Sequence, residues 1–228
     1  SCDGFIHALD KKQGSARWKF NTDYPIVACP TVANGNVYTG SSNGKFYSIR
    51  LANGTLNWVT DGLNGYIESR PAIDHERIYI GTWGAMFYAI DRKTGKKVWE
   101  FDTERGRYFS PGACWPTVLP YRKNGKASVL SSDYFVRAFN PEDGKILWAS
   151  DEAKGRESIG FSPDGKTMYI KGIKNNITAA DVSKGNYTPL WNTLMPYEGN
   201  FIPTRMETTE EYVFIPTEFG VVHAVRTD

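Results

Sequence analysis

Ala89-Ile90-Asp91-Arg92-Lys93-Thr94-Gly95-Lys96-Lys97-Val98-Trp99 decides the fold, because the same string returns along the chain. It occurs earlier as Ala8-Leu9-Asp10-Lys11-Lys12-Gln13-Gly14-Ser15-Ala16-Arg17-Trp18 and as Ser48-Ile49-Arg50-Leu51-Ala52-Asn53-Gly54-Thr55-Leu56-Asn57-Trp58. A fourth copy runs over 138–148. A fifth, Ala180-Asp181 through Gly185 to Trp191, is two residues longer after its glycine, and a sixth begins at Ala224. The tryptophans at 18, 58, 99, 148 and 191 stand 40, 41, 49 and 43 residues apart, a period near 42 with one expanded unit.

Within a period the apolar residues alternate, as in Lys45-Phe46-Tyr47-Ser48-Ile49, and the short elements are rich in Val, Ile, Tyr and Phe, which reads as strand. Over 26–60 the pattern predicts four strands, 26–32, 36–42, 45–50 and 55–60, joined at Asn34-Gly35, Asn43-Gly44 and Asn53-Gly54. Asn-Gly pairs turn hairpins tightly because both residues tolerate positive φ. Four antiparallel strands in about 42 residues is the period of a β-propeller blade, so an all-β propeller of four-stranded blades is expected.

The motif has a physical reading. The acid at its third position can accept hydrogen bonds from the turn that follows, the glycine supplies a left-handed residue, and the tryptophan four residues on stands on the outer strand. The small first residue leaves room for an indole. Arg50 and Asn140 replace the acid, and the fifth copy carries a longer loop with Pro189, so those blades are expected to be the less regular ones.

Composition agrees. Seven Trp, 14% aromatic residues, 22 Gly and 12 Pro in 228 residues suit a β-rich protein with many turns and exclude disorder and coiled coil. Lys plus Arg total 27 against 25 Asp plus Glu, a net charge of +2 that gives no electrostatic case for nucleic acid or an acidic membrane. No run of about 18 apolar residues exists, so no transmembrane helix is expected. Ser1-Cys2-Asp3-Gly4 shows no basic segment leading into an apolar one, and any signal peptide is expected to have been removed or to lie outside this chain. Cys2, Cys29 and Cys114 are too few and too widely spaced for a zinc site or disulfide framework and are expected to be buried thiols.

The pattern A-x-D-x-x-T-G-x-x-x-W, matched at every fixed position by 89–99, resembles the tryptophan-docking motif of pyrroloquinoline-quinone-like propellers. That resemblance covers nearly the whole chain. It implies the fold, and it leaves function open among quinoprotein dehydrogenases, bacterial outer-membrane assembly scaffolds, and propellers joined to phosphoesterases or kinases. The quinoprotein alcohol dehydrogenases carry a vicinal Cys-Cys disulfide over the quinone, a Trp beneath it, and Glu and Asn ligands for calcium. No two cysteines are adjacent here, and no calcium-ligand set is recognisable. Trp83 or Trp115 could stack on a cofactor, although a Trp in so aromatic a chain is more often core. The metal motifs of the phosphoesterases and the Gly-rich loop of the kinases are missing from this sequence.

The connections from an outer strand to the next inner strand, near 21–25, 61–67, 103–110, 151–158 and 196–201, are where a propeller would carry a ligand. Long or decorated loops in a compact repeat are candidate functional additions. At this channel mouth the candidate binding residues are Tyr66, Glu68, Arg70, Arg107, Tyr108, Trp115, Arg156 and Glu157, while Trp18, Trp58, Trp99, Trp148 and Trp191 are structural. Tyr with Arg on a concave surface suits a peptide, an anion or a sugar. Against this stands the reading that Arg and Glu near a propeller axis pair only to satisfy each other. No catalytic or metal residue is assigned. His7 and His223 fall at the same repeat position, and the sequons at Asn53, Asn176 and Asn186 carry no weight, since fourteen asparagines give about one or two by chance.

The chain opens in a third strand, 4–10, and closes in another, 220–225. The expectation is one propeller domain over 1–228, with about five repeats and partial terminal blades, forming part of a ring of six to eight. The leading expectation for function is a non-catalytic binding or scaffold propeller of the cell envelope or periplasm. It would have a protein or peptide partner, a small ligand at the channel as a further option, and no cofactor. The alternatives are a fragment of a quinoprotein dehydrogenase using pyrroloquinoline quinone with calcium, or an accessory propeller of a phosphoesterase or kinase.

Overall fold

A computed structural model describes residues 1–104, 111–113, 115–123, 126–132, 134–172, 176–195, 206–217 and 220–227, with the backbone alone for 113, 120–123, 126–132, 134 and 151–158. The chain divides into two compact units, Ser1–Ala113 and Cys114–Asp228.

The first unit begins with a two-stranded antiparallel sheet, β1 (Phe5–Leu9) and β2 (Ala16–Asn21). A four-stranded meander follows, built from β3 (Thr31–Ala33), β4 (Asn36–Gly40), β5 (Phe46–Arg50) and β6 (Leu56–Thr60). A second comprises β7 (Ala72–Ile73), β8 (Arg77–Gly81), β9 (Met86–Asp91) and β10 (Lys97–Asp102), and a single 3-10 turn, Pro111–Ala113, ends the unit. The inner strands are shorter than the alternation predicts: of 26–32 only Thr31 and Val32 pair with β4. Pro25 and Pro30 lack the N–H that a ladder needs. The Pro25 carbonyl instead accepts the Ser42 amide at 2.9 Å.

The second unit is a seven-stranded sheet followed by a three-stranded one. The larger runs through β11 (Thr117–Lys123), β12 (Lys126–Ser132), β13 (Tyr134–Phe139), β14 (Ile146–Phe161), β15 (Thr167–Gly172), β16 (Asn176–Asp181) and β17 (Thr188–Leu194). The smaller contains β18 (Glu207–Thr208), β19 (Tyr212–Pro216) and β20 (Val222–Arg226). Here the connector over 151–158 is not a loop. It is strand, so that β14 serves as the outer strand of one blade through its pairing with β13 and enters the next through its pairing with β15. Gly155 faces Tyr134 on one side and Gly172 on the other.

The repeated motif explains how blades hold together. Its small first residue sits directly across the ladder from its own tryptophan: Ala8 from Trp18, Ser48 from Trp58, Ala89 from Trp99, Ala138 from Trp148 and Ala179 from Trp191. A register shift follows each pair, and the turn glycine is left-handed in every copy, with φ of +68°, +73°, +72°, +70° and +72° at Gly14, Gly54, Gly95, Gly144 and Gly185. The copies lacking the acid are therefore as regular as the rest, because the glycine carries the turn. Asn140 Oδ1 accepts the Glu142 amide as the aspartates do, and in the Arg50 copy Asn53 Oδ1 holds both the amide and hydroxyl of Thr55. In the fullest copy Asp91 Oδ1 accepts from the hydroxyl and amide of Thr94 and the amide of Lys93, and these bonds, the Thr94 hydroxyl foremost, hold its pKa below the usual carboxylate value.

The indole reaches forward to the following copy. Trp18 donates Nε1–H to the Leu51 carbonyl at 2.9 Å, Trp58 to Arg92 at 3.1 Å, Trp148 to Gly185 at 2.9 Å and Trp191 to Thr227 at 3.2 Å. A Cβ on Gly54 would lie 2.8 Å from the Trp18 ring and one on Gly95 2.6 Å from the Trp58 ring, so glycine is required there for close approach as well as for φ. In the first unit the apolar interior forms one cluster around Tyr38, Phe46, Ile67, Ile80 and Tyr88 and another around Ile6, Tyr47 and Ile49. In the second, clusters form around Val136, Met168 and Ile170 and around Tyr169, Val213 and Ile215. Cys2 and Cys29 are exposed, contrary to expectation. Cys29 falls on the outward side of an alternating stretch whose neighbour Ala28 is buried. Cys114 lies outside the described residues.

Candidate functional site

The β8–β9 hairpin, with the connectors on either side of it, forms the most elaborated part of the first unit. Its Trp83 amide donates to the Tyr66 carbonyl at 3.0 Å, which fixes hairpin and connector together through the backbone. Above that bond the Tyr66 ring stacks on the Trp83 indole with centroids 5.5 Å apart and planes 17° from parallel. The indole Nε1–H points to Glu68, donating to Oε2 at 2.9 Å. A carboxylate acceptor makes this a charge-assisted bond, stronger than one between neutral groups. All three side chains are half-buried.

Close backbone approach from two directions completes the arrangement. A Cβ on Gly112 would lie 2.5 Å from the Trp83 pyrrole ring, and one on Gly81 only 2.0 Å from the Pro111 carbonyl, so the 3-10 turn rests directly on the hairpin. The hairpin also holds the start of that connector, since Thr103 donates both its amide and its hydroxyl to the Ala85 carbonyl at 2.9 Å. On the preceding connector, Asn64 donates its amide to the Tyr88 hydroxyl at 3.0 Å and its side chain to Gly84. Burial raises the Tyr88 pKa, keeping the phenol neutral. The fully buried Ser69 both donates to the Gly81 carbonyl and accepts the Gly81 amide.

Of the residues singled out from the sequence, Tyr66 and Glu68 are thus brought together, through Trp83. Arg70 turns toward the preceding inner strand, where its Nε donates to Thr31 Oγ1 at 3.4 Å. Trp115 stands half-buried two residues before β11 in the second unit. Arg107 and Tyr108 lie outside the described residues. Arg156 and Glu157 lie on β14, where the backbone alone is described. Trp83 entered the sequence reading only as a cofactor platform or a core residue. The signal for its role was available, for it breaks the repeat at the position that Ser42 holds one blade earlier.

The arrangement does not fit a quinone stacked on Trp83, because Tyr66 and the Gly112 backbone already lie against the indole. Among the described residues no three His, Cys, Asp or Glu side chains come together as a metal-binding group. What the site offers chemically is a rigid aromatic and acidic ridge, anchored at both connectors.

The family model described as outer membrane protein assembly factor BamB matches residues 2–107 and again 62–200. The chain belongs to this family. BamB of Yersinia pestis is 26% identical over 221 residues, covering 87% of this chain and 54% of that protein. The quinohemoprotein alcohol dehydrogenase of Comamonas testosteroni is 25% identical over 191 residues, covering 71% of this chain and 27% of the dehydrogenase. The chain therefore spans between about a quarter and about half the length of these relatives. The crystal structure of BamB from Moraxella catarrhalis superposes on the whole chain and on 69% of its own, with a TM-score of 0.77 at 17% identity, which establishes the shared propeller fold.

Proposed function

We propose that this chain is a non-catalytic binding or scaffold propeller whose connector end presents the Tyr66–Trp83–Glu68 ridge to a protein or peptide. One observation carries the reading: aromatic and acidic side chains are concentrated where the neighbouring blade has Pro25, Ser42 and Val27, so they are additions that the blade does not need. Aromatic residues on a rigid frame give contact area at low entropic cost, and a carboxylate beside them adds polar selectivity. An envelope or periplasmic location accords with the match to an outer membrane assembly factor. Part of a larger ring remains the reading of the repeat count.

The similarity to the quinohemoprotein dehydrogenase supports a second reading, in which cofactor ligands lie outside these residues. Thermal unfolding with saturating pyrroloquinoline quinone and calcium separates the two. A ligand that binds only the folded state raises the melting temperature by mass action. The scaffold reading expects no shift, and a saturable rise would overturn it in favour of the quinoprotein. A photo-crosslinking residue at position 66 is expected to trap a discrete partner that one at position 56, on an outer strand, does not.

A further inference from the structure

We propose that Asn34 is a modification site: among the Asn-Gly pairs whose structure is described, it is the one the fold leaves open to conversion, through a cyclic imide, into isoaspartate. The sequence holds five such pairs, at Asn34, Asn43, Asn53, Asn64 and Asn124, and the last lies outside the described residues. In the reaction the backbone nitrogen of the glycine gives up its proton to solvent and bonds to Cγ of the asparagine, while the side-chain nitrogen leaves as ammonia. Water then opens the five-membered imide at either carbonyl, leaving aspartate or isoaspartate, so one water enters and one ammonia departs. The step needs a glycine nitrogen that is not donating elsewhere, a side chain not held by other bonds, and room for the peptide to turn toward it. A structure that ties down any of these must open locally before the reaction can start.

Three of the pairs are tied down. Gly44 donates its amide to the Ser41 carbonyl at 3.3 Å, and Asn43 Oδ1 accepts from the Ser41 hydroxyl and the Lys45 amide. Gly54 donates to the Arg50 carbonyl at 2.9 Å, Asn53 Oδ1 accepts the amide and hydroxyl of Thr55, and the Trp18 ring lies against the glycine. Asn64 donates its side chain to the Gly84 carbonyl at 3.2 Å, and a Cβ on Gly65 would lie 2.2 Å from the Gly84 nitrogen, so that turn is clamped to the β8–β9 hairpin. Asn34 and Gly35 differ on each count. Both are exposed, and a Cβ on Gly35 meets nothing within 4 Å. Among the described residues the Asn34 side chain and the Gly35 amide have no hydrogen-bond partner, and the plane of the peptide between them is held at the Asn34 carbonyl by the Asn36 side chain at 3.3 Å. Isoaspartate adds a main-chain atom to a turn whose ends are fixed by the pairing of Ala33 with Asn36 and by the Leu51 amide on the Gly35 carbonyl at 2.9 Å, so the product loosens this corner of the blade. The turn stands at the other end of β4 from the β4–β5 hairpin, and the inference does not depend on the partner reading of the Trp83 ridge.

The test is to incubate the intact chain in warm, mildly alkaline buffer, digest samples over time, and read each asparagine by electron-transfer mass spectrometry, which separates isoaspartate from aspartate. Asn34 should convert about tenfold faster than Asn43, Asn53 or Asn64, because each of those must first open locally. The same chain in denaturant is the reference. There the four pairs should convert at comparable rates, which separates guarding by the fold from any effect of the neighbouring residues. Equal rates at the four pairs in the folded chain, or faster conversion at any of the other three, overturns the proposal. A lead for Asn34 that is as large in denaturant as in the folded chain also overturns it, since the fold would then not be what selects the site.

Discussion

The β4–β5 and β8–β9 hairpins occupy the same place in neighbouring blades and share one backbone plan, yet they carry different chemistry. In each, the amide at the second turn position donates to the preceding connector, Ser42 to Pro25 and Trp83 to Tyr66. In each, the residue two positions after that amide is left-handed, Gly44 at φ +74° and Ala85 at +65°. The first hairpin is plain, with a serine hydroxyl donating to the Pro25 carbonyl at 2.8 Å. The second replaces serine with tryptophan, proline with tyrosine and valine with glutamate, and it fastens the connectors on both sides. The blade thus tolerates large additions at this corner provided that glycines elsewhere make room for them.

That contrast can be broken most forcefully at the glycines. Gly81→Ala puts a methyl against the Pro111 backbone and should cost about 3 kcal/mol, the top of the range for overpacking, measured by denaturant unfolding. Gly40→Ala meets the Ile67 side chain instead and should cost less. Trp83→Ser, which restores the plain residue, should cost about 2 kcal/mol through lost stacking and burial, measured in the same unfolding assay. An unchanged unfolding midpoint would show that the stack on Tyr66 adds nothing to the fold. Glu68→Leu leaves the indole N–H without its acceptor, costing about 1 kcal/mol, while Glu68→Gln should keep most of the stability. Ala85→Gly gives the second hairpin the residue of the first. Relief of the left-handed conformation slightly outweighs the greater entropy of glycine, for a gain of about 0.5 kcal/mol in the same unfolding assay.

The difference between the hairpins also accounts for what could be read from sequence. The docking turns were legible because each packs its chemistry into eleven consecutive residues and repeats it. A repeat lets one copy interpret another, even where Arg50 or Asn140 departs from the pattern. The Trp83 ridge draws Tyr66 and Glu68 from one connector, Trp83 from a hairpin and Gly112 from the next connector, once only. Listing the connectors was enough to pick out Tyr66 and Glu68. Joining them to Trp83 required the backbone bond that sets the hairpin beside them. The forward reach of the indole was equally hidden, since local sequence shows a tryptophan four residues beyond its own glycine and the contact is with the glycine of the following copy.

The long strand β14 carries a consequence for how the second unit comes apart. In the first unit each described strand pairs within a single four- or two-stranded sheet, and neighbouring blades are joined by scattered bonds such as that from Trp18 to Leu51. Here one sixteen-residue strand pairs with β13 and, from Gly155 onward, with β15, so the ladders of two blades share a strand. Opening either blade withdraws partners from the other, and exchange of their protected amides with deuterated solvent should proceed in step, as a single cooperative event.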